Sequence, residues 1–446
     1  MIQSHAGRNA VKDAITIAPE FKLEDDLAMA YHQMEFTNDS LFLTGRAGTG
    51  KSSLLNYFRK NTAKKYVVLA PTGLAALHVG GSTIHSFFGF PLRTILKNDP
   101  EITKWAKGHP RIRILKKMDT LIIDEVSMVR VDIMDAIDRS LRLNLENDLP
   151  FGGKQVIFIG DVFQLSPVVT AQDQQYTQDS DYSDPYFFSS DSFRSCKPAI
   201  IELTKIYRQQ DEDFIYLLNR IRMGIAGRDE LDELNKRYLP DSDEDFAITL
   251  SSVNAIADSV NQVKLMNIIA PSFLFKATSG GVFHKRLYPA PQELILKSGA
   301  QVMMVKNDIK GKWVNGSIGK IEFVTPEEIV VRFADGAINK IERVTWENRV
   351  YTWDTLANTI TSVVQGTYTQ FPIRLAWAIT IHKSQGLTFD KIIIDMGKGA
   401  FAHGQLYVAL SRCKTLEGIL LKTKITSNDM IVDEVVERFA GKNRIG

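Results

Sequence analysis

GRAGTGKS (residues 45–52) is followed about seventy residues later by LIIDEVSM (residues 121–128). In the first stretch, Gly45, Gly48 and Gly50 remove side chains where backbone N–H groups must close around phosphate oxygens. Lys51 can reach the β- and γ-phosphates, and the Ser52 hydroxyl can ligate Mg²⁺. Residues 40–44 (SLFLT) read as a buried strand, and 53–60 (SLLNYFRK) carry apolar residues at helical spacing, so a helix N-terminus points at the anion. Gly45, Ala47, Gly48, Thr49, Gly50, Lys51, Ser52 and Ser53 form the expected nucleotide cradle. In the second stretch an apolar strand, residues 120–123, delivers Asp124 and Glu125. An aspartate there can hold Mg²⁺, and a glutamate beside it can orient and deprotonate an attacking water. Together the two stretches imply hydrolysis of a nucleoside triphosphate.

Six further blocks follow in order: VVLAPTGLAA (67–76), GSTIHSFFG (81–89), VIFIGDVFQLSPV (156–168), LTKIYRQ (203–209), ITIHKSQGLTFD (379–390) and GQLYVALSRCK (404–414). Their order and spacing resemble the motifs of superfamily 1 helicases in the RecD-like 5′→3′ branch. The likeness is strongest to the petite-integration-frequency (PIF) helicases, whose extra signature corresponds to residues 134–168, with Pro150-Phe151-Gly152-Gly153. It covers about residues 41–250 and 294–415.

The resemblance implies ATP and Mg²⁺ as cofactors, with Ser52 and Asp124 holding the metal. It makes Lys51, Glu125, Gln164, Arg208 and Arg412 catalytic: Gln164 senses the γ-phosphate, and the two arginines reach it from a second motor domain. A guanidinium suits charge spread over transferring oxygens. Pro71, Thr72, Gly73, His85, Ser86 and Phe87 are expected to follow a DNA strand on one domain, and His382, Lys383, Ser384 and Gln385 on the other. Hydroxyls, amides and N–H groups grip phosphates without reading sequence, and rings such as Phe87 and Phe88 can stack bases. Related helicases read adenine with a glutamine upstream of the loop. Gln33, inside an expected helix at 27–36, is the candidate here and lies closer to the loop than the family places it.

The implied fold is α/β: two RecA-like parallel-sheet motor domains, a small 1B wedge and an inserted β-rich, SH3-like 2B module. Residues 1–20 read as a lead-in and 21–190 as motor domain 1A, with 88–116 as the wedge excursion. Residues 191–255 and 377–446 read as motor domain 2A, and 256–376 as the insertion, where short β-like runs surround Asn315-Gly316 and Asp335-Gly336 turns. Residues 428–440 read as a closing helix with Ser427 as N-cap and Gly441 as its stop.

With 54 Lys+Arg against 52 Asp+Glu, the formal charge of +2 points to no nucleic-acid partner, so a DNA groove must use local charge. One basic run exists: Lys104, Lys107, Arg111, Arg113, Lys116 and Lys117. Cys196 and Cys413 are the only cysteines and lie far apart, which fits a reducing compartment. No Cys/His cluster has zinc spacing, and no apolar stretch reaches membrane-spanning length. A cytoplasmic protein of bacterial or phage-like type is expected, with a nuclear one as the alternative.

The expected function is an ATP-dependent 5′→3′ DNA helicase acting as a monomer on single-stranded DNA and single-/double-strand junctions, including G-quadruplex or RNA–DNA hybrid. The alternatives are a nucleic-acid-stimulated translocase that displaces proteins without unwinding, and a small-molecule P-loop kinase. The HKSQG and GQLYVALSR blocks argue against the kinase, which has no use for a second motor domain.

Overall fold

The computed structural model describes residues 23–168 and 182–446, so the expected lead-in at 1–20 lies outside the described residues. Six strands form the first sheet: β1 (Leu41–Gly45), β2 (Tyr66–Ala70), β3 (Ser82–Thr83), β4 (Thr120–Ile123), β5 (Gln155–Ile159) and β6 (Ala199–Leu203), in the order β3-β2-β4-β5-β1-β6. Every pairing is parallel. Alternation explains the layering. Leu41 and Leu43 face one side with Leu54, Leu55 and Phe58 of helix Lys51–Asn61, while Phe42 faces the other with Phe158, Phe187 and Phe193. The carboxyl ends of β1, β4 and β5 deliver the glycine loop, Asp124-Glu125 and Gly160-Asp161 to one edge, where open α/β sheets place ligands.

The chain then crosses to a second lobe. β7 (Ile248–Ser251) begins its parallel sheet, which is completed much later. Between lie antiparallel strands. β8 (Phe273–Lys276) pairs with β10 (Glu293–Leu296). β11 (Gln301–Met304), β12 (Ile318–Val324), β13 (Ile329–Phe333), β14 (Ile338–Ile341) and β17 (Ile373–Leu375) make a five-stranded sheet. The hairpin β15 (Val344–Asp354) and β16 (Thr359–Gln370) adds β9 (Thr278–Gly281) at its base. Asp335-Gly336 makes the tight β13–β14 turn, with the Phe333 N–H donating to the Ala337 carbonyl at 2.8 Å. β18 (Ala378–Thr380), β19 (Ile392–Asp395) and β20 (Ile419–Leu421) then give the second sheet the order β18-β7-β19-β20. No helix among the described residues is long and apolar enough to cross a membrane.

Several boundaries differ from the sequence expectation. Residues 191–203 stay with the first lobe rather than opening the second, because β6 pairs with β1 along five residues. Helix Asn254–Met266 belongs to the second sheet rather than the insertion: the Asn261 side chain donates to the Ala378 carbonyl (2.7 Å) and accepts from the Trp377 and Ala378 N–H groups. The closing helix is Glu434–Asn443, capped by Asp433 rather than Ser427 and running through Gly441. Ser427 starts only a 3₁₀ turn, closed by reciprocal bonds between Thr426 and Asp429. That closing helix packs on the first lobe, where Phe439 stacks on Phe188 at 4.1 Å; aromatic burial outweighs its place in the chain.

The 88–116 excursion is anchored, since Phe88, Phe90, Ile95, Ile102, Ile114 and Leu115 are all buried in the first core. The hairpin tip also reaches this lobe. The Tyr351 hydroxyl accepts from the Val68 N–H (3.0 Å) and donates to its carbonyl (3.3 Å), filling the edge of β2 that the two-residue β3 leaves open.

Candidate nucleotide and strand site

The glycine loop is shaped by backbone that other residues resist. Gly48 has φ 84°, and a Cβ there would lie 2.5 Å from the Arg208 Cβ. Gly50, at φ 91°, caps helix Lys51–Asn61 in the left-handed region. The first N–H groups of that helix point out of its end with the positive end of its dipole. Lys51 is half-buried at the loop, its Nζ donating to the carbonyls of Gly45 and Arg46. Burial pulls its pKa down, and Asp161 and Glu125 oppose that shift. Ser52 and Ser53 are exposed at the loop's mouth.

Asp124 and Glu125 leave β4 side by side. Burial, then the charge of Glu125, pushes Asp124 up to about 7. Burial raises Glu125 too, with Lys51 and Arg412 pulling the other way. Glu125 itself sits at φ 50° and ψ 44°, a left-handed conformation unusual outside glycine. Gln164 is buried, with its Nε2 facing Asp161 Oδ2 at 3.3 Å.

The second lobe closes the cleft. The Tyr207 N–H donates to the Gly48 carbonyl at 2.9 Å, and Arg208 Nη1 donates to the Ser411 carbonyl at 3.0 Å. Arg412 is 1% exposed and gives its protons to Val408 O (2.9 Å), Leu387 O (3.4 Å) and Ser411 Oγ (2.8 Å). Burial, then Arg208, pushes Arg412 down to about 9. Loop, carboxylates and both guanidiniums therefore converge from strand ends of two lobes.

Three contributors escaped the sequence reading. The Tyr407 hydroxyl accepts from the Ala47 N–H at 3.0 Å, so GQLYVALSR touches the glycine loop directly. Arg222 and Asp161, each about 1% exposed, form an ion pair between the lobes at 3.0 Å, and Arg222 also lies over the Phe163 ring at 4.3 Å. Arg222 follows Phe214 and Leu218 at four-residue steps on helix Glu212–Arg222, and a cation on an apolar helix face was the signal for it. His403 meets the Val162 carbonyl through Nε2 at 2.8 Å.

On the strand side, Pro71, Thr72 and His85 line one cleft of about 290 Å³ with Arg93 and Arg130. Gly73 faces the Leu287 side chain of the insertion, whose Cδ2 would lie 2.5 Å from an added Cβ. Ser86 is exposed. Phe87 is buried rather than exposed for stacking. Helix Ile84–Phe88 turns residues 84, 87 and 88 into the core, and the Phe87 ring meets Phe88 edge-on at 5.0 Å. On helix Ile381–Ser384, His382 is half-buried and Lys383 exposed, but Ser384 is fully buried and its Oγ donates to the Ile381 carbonyl. Gln385 reaches into the hydrolysis site: its Nε2 donates to Glu125 Oε2 at 2.9 Å and to Gln164 Oε1 at 3.4 Å.

Gln33 is not at the nucleotide edge. Helix Asp25–Phe36 starts near the loop, at Leu27, and runs away from it. The Gln33 carbonyl accepts from Gln155, the first residue of β5, so Gln33 stands at the sheet's opposite end. Of the basic run, Lys104 pairs with Glu146, and Arg113 lies over Trp353 of the hairpin at 5.5 Å.

Residues 23–230 match the family model described as PIF1-like helicase, and 375–417 match the UvrD-like helicase C-terminal domain. The Mus musculus ATP-dependent DNA helicase PIF1 is 34% identical, across 89% of this chain and 59% of its own length. The ATP-dependent DNA helicase Pif1 of Bdellovibrio bacteriovorus is 32% identical, across 90% of this chain and 88% of its own. A crystal structure of Bacteroides sp Pif1 with ADP-AlF4 superposes with a TM-score of 0.88 at 39% identity, covering 95% of this chain and 98% of that one. The chain spans about three fifths of the length of the vertebrate relatives that it matches.

Proposed function

Since the chain belongs to the PIF1-like helicase family, we propose that it is an ATP-dependent DNA helicase that moves 5′→3′ along single-stranded DNA and opens duplexes at junctions. The observation that carries this reading is the meeting of Arg208, Arg412 and Gln385 of one lobe with the glycine loop and Glu125 of the other.

In this reading the loop N–H groups and Lys51 grip the β- and γ-phosphates, Glu125 orients and deprotonates water, and Gln164 senses the γ-phosphate. Arg208 and Arg412 stabilise the charge of the transferring group. Ser52 and Asp124 offer hard oxygen donors, and no group of three or more His, Cys, Asp or Glu among the described residues gathers as an all-protein metal cage. That suits Mg²⁺, which keeps waters and phosphate oxygens among its ligands. Bound there, it would neutralise charge on the phosphates. Because the two ligand sets lie on different lobes, binding favours closure and hydrolysis releases it. Pro71, Thr72, His85 and Ser86 would hold the strand on one lobe, and His382 and Lys383 on the other, so alternating grip becomes stepping. The anchored 88–116 segment is assigned to the wedge, and the antiparallel insertion after Met266 to the 2B module.

Matched 5′-tailed and 3′-tailed duplexes, with ATP and Mg²⁺, test this. The 5′-tailed duplex should be opened and the 3′-tailed one left intact. Strand-stimulated hydrolysis with neither opened would replace the helicase by the protein-displacing translocase.

Affinity for an oligothymidylate should also fall as salt rises, with a log–log slope of about −0.7 per phosphate contacted. A flat dependence would rule out a strand held by its backbone.

A further inference from the structure

Gln385 was expected to touch a DNA strand, yet it reaches the centre of the hydrolysis site instead. We propose that Gln385 is the positioning residue that couples strand binding to hydrolysis. Its amide occupies the Glu125 carboxylate until a strand gripped by His382 and Lys383 draws it away. The proposal rests on the hydrolysis reading above and adds to it the element that keeps strand-free hydrolysis slow.

The geometry supplies each link. One N–H group set on Gln385 serves Glu125 Oε2 at 2.9 Å and Gln164 Oε1 at 3.4 Å, so a single side chain from the second lobe touches both groups assigned to the γ-phosphate and its water. A general base works through a free carboxylate oxygen within hydrogen-bond reach of the water. An oxygen already accepting from an amide is less available and less basic.

The Gln385 amide is held through its nitrogen, and its Oε1 accepts from no protein group among the described residues.

The lever is short and stiff. Gln385 directly follows helix Ile381–Ser384, whose first turn is capped by the Thr380 hydroxyl. The Gln385 N–H donates back to the His382 carbonyl at 3.3 Å, and the Leu387 N–H to the Ser384 carbonyl at 3.0 Å. Ile381 and Ser384 are fully buried, while Lys383 is exposed and His382 is half-buried beside it. A force on that pair therefore moves the inward amide with it.

The test is steady-state ATP hydrolysis by the full chain, with and without saturating oligothymidylate, for Gln385→Ala and Gln385→Glu. The second variant keeps the size of the side chain and replaces the donor with a carboxylate that Glu125 repels. Both should raise strand-free kcat by ~5-fold or more with the KM for ATP within ~2-fold, so that stimulation by the strand shrinks in proportion. Thermal midpoints identify a variant that fails to fold, and the other then decides. Strand-free kcat at or below wild type, with stimulation intact, would reduce Gln385 to a packing role and overturn the proposal. Absence of hydrolysis in the wild-type chain itself would instead bring down the reading of function on which it rests.

Discussion

Lys51→Ala should cut ATP turnover by ~10²–10³-fold or more while leaving affinity for single-stranded DNA within a few-fold, because it removes a fixed cation aimed at developing phosphate charge. That loss corresponds to about 3–4 kcal/mol of transition-state stabilisation. In the structure the half-buried Lys51 ammonium is held by the Gly45 and Arg46 carbonyls, so it is pre-positioned at the loop. Burial disfavours its charge, and the nearby carboxylates of Asp161 and Glu125 restore it. An anion in the cradle would add to that restoring field, which makes Lys51 a partner in the bound state above all. Phosphate release under saturating strand measures the first half of the expectation, and fluorescence anisotropy on a labelled oligonucleotide the second. Turnover near wild type would show that the glycine loop does not hold the phosphates.

Arg412→Ala should lower kcat by ~10³-fold with little change in the KM for ATP, the pattern of an interaction made in the transition state and not in the ground state. The reason lies in where its donors now point. All three hydrogen bonds go to its own lobe, to Val408, Leu387 and Ser411, although Glu125 of the other lobe is close enough to bias both groups electrostatically. Arg208 stands nearby, and their mutual repulsion helps to push Arg412 down to about 9. A phosphate between the two guanidiniums would relieve that repulsion, which supplies the differential affinity that closure needs. Arg412→Lys should recover only part of the rate, since an ammonium keeps the charge without the fork. A kcat within a few-fold of wild type in a folded Arg412→Ala protein would remove the inter-lobe arginine from the mechanism.

Some of the site was legible because local sequence and local chemistry coincide there. A glycine loop between an apolar strand and a helix, and two acids after an apolar strand, can be read without knowing what packs where; β1, β4 and helix Lys51–Asn61 occupy the expected places. Phe87 shows the opposite case. Its neighbours suit either a stacking platform or a core, and only the turn of a five-residue helix put residues 84, 87 and 88 inside. Gln33 is a residue of the right type in the right helix, but helix direction carries it to the far edge of the sheet. Arg222 escaped the sequence reading although it follows Phe214 and Leu218 on one helix face, because its partner Asp161 lies on another lobe.

The motifs alone determined the class of chemistry, because each one's residues lie within a few positions of one another, and their order along the chain gave the family and, through that resemblance, the expectation of two parallel sheets. The assignment of β6 and the closing helix to the first lobe, the docking of Tyr351 on β2, and the turn of Gln385 toward Glu125 were decided only in three dimensions. Each depends on which buried surface or unpaired polar group lies opposite, and that partner is 150 or more residues away in the chain. Hydrogen bonding and apolar burial act through space, so a pattern along the chain can name a residue's chemistry while packing selects the neighbour on which that chemistry acts.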